Sequence, residues 1–239
     1  MSKSKPLRRP PEGGYARGDE TRRKIIDAAI HLFGQHGFDG ASTRDIAARA
    51  GVNAPALQYY FENKEGLYRA CAESLADESW QVFEPAVLRA REALARNAGT
   101  EALIDAFIGI LEAVADRTIV KRSNPDSRLF IAREQSGSEP EIGSNVLDER
   151  LRAPLNEVNA ALLARISGRR ADDPLTIVRM ISLHGQSLLF NFARRSVQTL
   201  LRWDDIDAKK ADFLKKAICE QSRVMLQHWA HERDARRAK

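Results

Sequence analysis

The chain has 239 residues, 43% of them hydrophobic, with only 14 Gly and 9 Pro, the composition of an ordinary helix-rich globular protein holding one large domain or a small head and a bigger body. No apolar run approaches ~18 residues, so no membrane span is expected, and the basic start Met1-Ser2-Lys3-Ser4-Lys5-Pro6 has no apolar stretch behind it, so no secretory signal is expected either. The net charge is +5, and its placement is uneven: Met1 to Ala70 holds 12 Lys/Arg against 8 Asp/Glu, while the remaining 169 residues hold 26 against 25. A positive surplus confined to one end suits phosphate neutralisation.

Residues 1–18 contain Pro6, Pro10, Pro11, Gly13, Gly14 and Gly18 with little apolar content, and are expected to form a disordered arm. Its Lys3, Lys5, Arg8 and Arg9 are placed to add modest affinity for DNA. A first helix is predicted from about Glu20 to His36, with Ile25, Ile26, Ala29, Leu32 and Phe33 on one face and Gly37 as its stop. Ser42 and Asp45 match an N-terminal capping box opening Ile46–Ala50, and Gly51 closes that helix after two turns. Asn53 is a cap for the next helix, Pro55 fits its first turn, and Leu57-Gln58-Tyr59-Tyr60-Phe61 follow. Two short helices joined by a tight Gly-containing turn describe a helix-turn-helix.

A long helix is predicted from about Lys64 to Arg96, broken or bent near Pro85, then one capped by Thr100 and carrying Leu103, Ile104, Phe107, Leu111 and Val114. Arg122 to Ser127 reads as a loop or helix start, Leu129–Gln135 as helical, and Ser136–Pro140 as a break. A further helical pattern runs from Glu141 to about Ile166, kinked or split by Pro154. Asp173-Pro174 marks the start of a helix to about residue 200 with Val178, Ile181, Gly185, Leu188, Leu189 and Phe192 on one stripe. The last helix, from about Asp205 to Arg233, carries Leu214, Ile218, Met225, Leu226 and Trp229. Nothing alternates with period two. The fold expected is all-α, about nine helices, divided into an arm (1–18), a three-helix DNA-binding head (19–66) and a larger ligand-binding and dimerisation domain (67–239).

The head resembles the DNA-binding domain of the TetR/AcrR family of transcriptional regulators. The resemblance runs through Ile25–Phe38, Ser42–Ala47, Ala50–Asn53, Tyr59-Tyr60-Phe61 and Asn63–Leu67. Gln58 departs from it, since many relatives carry an aromatic there. More narrowly, Ile131–Gln135, Leu155 beside Pro154, Asp172-Asp173-Pro174 and Ser182–Leu188 resemble the C-terminal domain of the CerR/CecR-type branch, which implies control of efflux and stress-response genes. The resemblance implies a cytoplasmic homodimer joined through its last two helices, a palindromic operator in double-stranded DNA, and release by an unknown small-molecule effector. Gly185 on an apolar stripe suits close helix approach, and paired heads suit a palindrome.

Thr43, Arg44, Tyr59, Tyr60 and Lys64 are expected on the DNA backbone, by family position and by their donors at helix ends. Asn53, Ala54, Pro55, Ala56 and Gln58 are expected at base edges: Gln58 matches adenine, and Ala and Pro can touch a thymine methyl. The pocket candidates are Phe107, Phe130, Arg133, Glu134, His184, Gln186 and Phe190, each also readable as core or an internal ion pair. No cofactor is expected. His184 has no second ligand at metal spacing and neither Cys71 nor Cys219 has any, so no metal site is expected and the cysteines read as reduced, packed thiols. There is no nucleophile elbow, P-loop or dinucleotide fingerprint, so no enzyme is expected. The alternative is an architectural or division-related DNA binder on the same fold that uses no inducer.

Overall fold

The computed structural model of the protein describes residues 13–120 and 124–238, all of whose regular structure is helical. Eleven α-helices and two five-residue π-helical segments follow one another in the order α1 (Gly13–Gly40), α2 (Thr43–Ala50), α3 (Ala54–Phe61), α4 (Lys64–Ala95), α5 (Thr100–Ala115), π segment Asp116–Val120, α6 (Pro125–Gln135), α7 (Glu141–Leu147), π segment Asp148–Arg152, α8 (Ala153–Ser167), α9 (Pro174–Phe192), α10 (Arg194–Leu201) and α11 (Ala208–Arg237). The all-α fold is therefore as expected. The two helices beyond the expected nine arise by division: 141–166 divides at the second π segment, and 174–200 divides at Ala193. Pro154 is the second residue of α8, directly after the π segment. α4 is continuous through Pro85. No described helix is long and apolar enough to cross a membrane.

Two readings near the start need correction. α1 begins at Gly13, so helix extends into the expected disordered arm, while Lys3, Lys5, Arg8 and Arg9 lie outside the described residues. Thr100 is the first residue of α5 rather than its cap; Gly99 is the cap residue, and the Thr100 hydroxyl accepts from Arg233 Nη2 at 3.0 Å.

The chain forms two compact units, and their boundary differs from the expected break at residue 66. The first comprises the chain up to Ser74 together with Asp126–Asn145; the second holds Leu75–Pro125 and Val146 onward. The reason is packing across 62 to 101 residues of sequence. Tyr68 is fully buried, with its ring 5.0 Å from Phe33, 5.3 Å from Phe38 and stacked on Phe130 at 4.8 Å. Around this aromatic cluster, Ile25, Ile26, Ala29, Ile46, Leu57 and Leu67 complete the first core.

In the second unit α5 is the central element. Leu103, Ile104, Phe107, Ile108, Ile110, Leu111, Val114 and Ala115 are all buried along one broad side of the helix, and α5 packs against α8, α9 and α11. The last turns of α11 fasten this core. Arg233 donates to the Arg165 carbonyl at 3.0 Å and Arg236 to the Ser167 carbonyl at 2.6 Å. These are orphan acceptors at the end of α8, satisfied by cations that also suit the helix dipole. Arg179 lies 4.2 Å from the Trp229 ring centre and pairs with Glu232 at 3.3 Å.

Candidate nucleic-acid interface

α2 opens on Ser42, whose backbone is extended and whose Oγ accepts from the Asp45 amide at 3.1 Å while its hydroxyl donates to the Asp45 carboxylate at 2.6 Å. One orphan amide is thereby satisfied, as the box of Ser42 and Asp45 predicts. The helix ends on Gly51 in the left-handed conformation, its amide donating to the Ala48 carbonyl at 3.2 Å. Asn53 Oδ1 then accepts from the Ala56 amide at 2.9 Å, and Pro55 occupies the first turn of α3. The turn between the helices is three residues long, the geometry of a helix-turn-helix.

α3 divides cleanly by face. Leu57 and Phe61 are buried; Ala54, Pro55, Gln58 and Tyr59 are exposed, Tyr59 at 83%. An exposed aromatic of that size covers no core of its own. The Tyr59 and Tyr60 rings meet edge-on at 5.3 Å, with Tyr60 half-buried. Eight residues make a rod of about 12 Å, comparable to the width of the major groove.

The joint between α3 and α4 explains the run Asn63-Lys64-Glu65-Gly66. Glu62 sits at φ 60, ψ −55 and the Asn63 amide donates to the Phe61 carbonyl at 2.5 Å, a γ-turn, which is a rare and strained conformation. Asn63 Oδ1 accepts from the Gly66 amide at 2.7 Å and so caps α4. Any β-carbon at residue 66 would collide with the Phe61 carbonyl oxygen, so only glycine fits there. Lys64 lies over the Phe38 ring at 4.6 Å and donates to the Asp39 carbonyl at 3.4 Å. α3 thus leaves α4 in one direction, held by a cap, a close approach and a cation on an aromatic ring.

All ten expected DNA-contact positions fall in this unit. Thr43 and Arg44 open α2, Asn53 to Tyr60 form α3 with its cap, and Lys64 opens α4. Arg44 is exposed and Thr43 half-buried. Asn53 has its side-chain oxygen engaged in the cap, and Lys64 is partly committed to Phe38 and Asp39. Sequence reasoning missed the Asn63–Gly66 joint and the approach of α1 to α3. Arg22 sits 5.3 Å from the Phe61 ring centre, and a β-carbon on Gly18 would lie 3.7 Å from the Tyr60 hydroxyl. Asn followed three residues later by Gly was a readable signal for the joint; nothing local signalled the approach.

The seven pocket candidates are divided between the two units. Phe130, Arg133 and Glu134 belong to the first unit, where Phe130 stacks on Tyr68 and Arg133 bonds to α1. Phe107, His184, Gln186 and Phe190 belong to the second. There the Phe107 and His184 rings are 5.5 Å apart, Gln186 accepts from the exposed Gln221 on α11, and Phe190 is half-buried against the core. His184 Nε2 is buried without a partner, and burial holds its imidazole down at about 4. Two open grooves of the second unit, ≈ 390 Å³ beside Arg89 and Asp105 and ≈ 220 Å³ beside Glu112 and Cys219, are lined by none of the seven. Both cysteines are free and buried. Burial pushes the Cys71 thiol well above its usual range and Cys219 up to about 11, so neither is a reactive thiolate. Among the described residues no group of three His, Cys, Asp or Glu side chains is placed to hold a metal.

Comparison with known proteins adds the following. Residues 25–71 match the family model of bacterial regulatory proteins, tetR family. Residues 103–228 match that of the C-terminal domain of the HTH-type transcriptional dual regulator CecR. The chain is similar to the CecR regulator of Shigella flexneri, 30% identical over 215 residues that span 88% of this chain and 93% of that one. In fold it is similar to AibR, solved in complex with isovaleryl coenzyme A and operator DNA, with a TM-score of 0.56 at 17% identity over 84% of this chain and 97% of that one. It is likewise similar to a transcriptional regulator of Rhodococcus sp. RHA1, with a TM-score of 0.52 at 17% identity over 87% and 96% of the two chains.

Proposed function

Because the chain belongs to the TetR family of transcriptional regulators, with a helix-turn-helix DNA-binding domain and a CecR-type C-terminal domain, we propose that it acts in the cytoplasm as a homodimeric repressor of a palindromic operator, released by a small-molecule effector. The observation that carries the reading is the division of α3: Leu57 and Phe61 inward, Ala54, Pro55, Gln58 and Tyr59 outward on a helix of groove width. In this reading Ala54, Pro55, Ala56 and Gln58, with the Asn53 amide nitrogen, meet base edges. Thr43, Arg44, Tyr59, Tyr60 and Lys64 hold the backbone.

Dimerisation is supported by an apolar face that the monomer leaves in water. Val178, Ile181, Leu188, Leu189 and Phe192 on α9, with Phe213, Val224 and Met225 on α11, are all exposed. Monomeric proteins rarely leave such a stripe uncovered, and a self-complementary helix pair is the simplest cover. Release then requires an effector that binds one arrangement of the two heads better than the other, and by no more than that difference. Of the candidates in the second unit, Phe107 and His184 offer a ring pair with one unpartnered ring nitrogen.

The test is a footprint and a reporter. The purified chain should protect one inverted repeat upstream of a regulated gene, and deletion of its gene should raise a reporter driven by that promoter. Protection of many scattered sites with no inverted repeat would favour an architectural role; a reporter that falls on deletion would mean activation.

A further inference from the structure

Three polar atoms stand near one height in the second unit, buried and without a hydrogen-bond partner. Gln186 on α9 accepts from Gln221 on α11, while Arg179 pairs with Glu232, so the two helices run antiparallel with residue 186 beside 221. Ser187 and Ser222, each the next residue, are therefore level, and both are fully buried. α5 also runs against α11, since Arg223 pairs with Asp105 at 2.7 Å and Lys215 with Asp116 at 2.9 Å. That brings Phe107 to the height of Ser222, and the His184 ring, about one turn before Ser187, lies 5.5 Å from that of Phe107. Ser187 Oγ, Ser222 Oγ and His184 Nε2 all lack a partner.

The other buried serines of this unit are bonded. Ser79 donates to the Leu75 carbonyl at 2.8 Å and Ser167 to that of Leu163 at 2.7 Å, each one turn back. Ser187 and Ser222 instead follow Leu183 and Ile218 on the core stripes of their helices and make no such bond. A buried polar group left unpaired costs stability, so a set of three points to a partner from outside the chain. That partner meets no charge. Among the described residues, α5, α9 and α11 bury no charged side chain, and Arg223 and Asp105 neutralise one another at the rim. An ion taken into this layer would find nothing to offset its desolvation.

We infer that this layer binds a small uncharged molecule that both donates and accepts hydrogen bonds and lays an apolar face against Phe107. Its way in is beside His184, the half-buried member of the set, which stands between the core stripe of Leu183 and Ser187 and the exposed Ile181 and Leu188. The inference deepens the effector reading above and rests on it only for the consequence of binding, release from DNA.

The experiment titrates the full-length chain calorimetrically with three probes. They are benzamide, its near-isosteric anion benzoate, and toluene, which has the same ring and no hydrogen-bonding group. Benzamide should bind, with benzoate and toluene about tenfold weaker or more. S187A/S222A should weaken benzamide roughly thirtyfold, one hydrogen bond lost at each serine, and leave toluene no weaker. S167A, which removes a hydroxyl that already has its partner, should bind benzamide as the unsubstituted chain does. In urea without a probe, S167A should lower the unfolding midpoint and S187A/S222A should not. Failure of benzamide to bind overturns the inference, as does equal affinity in S187A/S222A or equal affinity for benzoate. A midpoint that drops in S187A/S222A as far as in S167A overturns it too, because the hydroxyls would then be bonded within the chain. Serine-dependent binding of benzamide that leaves affinity for a duplex from the chain's own upstream region unchanged would support the site and count against release through it.

Discussion

Arg133 on α6 donates from Nε to the Gly34 carbonyl of α1 at 2.8 Å. Its Nη2 reaches the next carbonyl, Gln35, at 2.9 Å, and its guanidinium lies 3.8 Å from Glu139, which itself accepts from the Phe38 amide at 2.7 Å. Carbonyls near the stop at Gly37 (φ 75) and the first amide beyond it are thus served by a segment about a hundred residues downstream. Arg133→Ala should cost on the order of 1–2 kcal/mol, because part of the side chain faces water and each charge-assisted bond contributes about that much. Hydrogen exchange should localise the loss to α1 and α6. Unaltered exchange in residues 26–38 would mean the bonds add nothing.

Tyr59→Ala removes a ring that is 83% exposed and meets the Tyr60 ring edge-on. The melting temperature and dimer mass should stay put while affinity for the upstream duplex falls about tenfold, the loss of one good DNA contact of about 1–2 kcal/mol. Gel shifts with equal midpoints for both proteins would remove Tyr59 from the interface.

Most of the head was legible because its signals are local. Ser42, Gly51, Asn53 and Pro55 each act within three or four residues of themselves, and periodicity alone separates Leu57 from Gln58. The unit boundary was not legible, because Arg133, Phe130 and Glu139 act on α1 and Tyr68 across 62 to 101 residues, and no local pattern encodes such a partner. The same cause divides the pocket candidates between two units. Ile131–Gln135 looked like body because the chain order puts it there, whereas its arginine holds the head together. The break at Ala193 between α9 and α10 carries no Gly or Pro of its own.

Gly185 sits on the apolar stripe of α9, and a β-carbon built there meets nothing within 4 Å. Within one chain, then, a larger residue has room, and its effect isolates the partner. Gly185→Leu should leave helicity and monomer stability unchanged while shifting sedimentation toward monomer at micromolar concentration. A dimer that persists through dilution would place the contact elsewhere than this stripe.

His184 gives the second unit an acid-side weakness. Its half-buried ring lies 5.5 Å from that of Phe107, the buried Nε2 has no partner, and desolvation holds its pKa at about 4 against the ordinary 6.5. Because the folded value is the lower one, the unfolded chain binds an extra proton between these two pH values. Stability is therefore full above about 6.5 and declines as pH falls toward 4. At ~1.4 kcal/mol per pH unit, that window corresponds to about 3 kcal/mol. His184→Gln cannot titrate, so its urea midpoint should fall less than that of the unsubstituted chain across the same pH range, whatever the offset at neutrality. Parallel midpoints from pH 7 to pH 4 in the two proteins would show that the imidazole is not held neutral by the core.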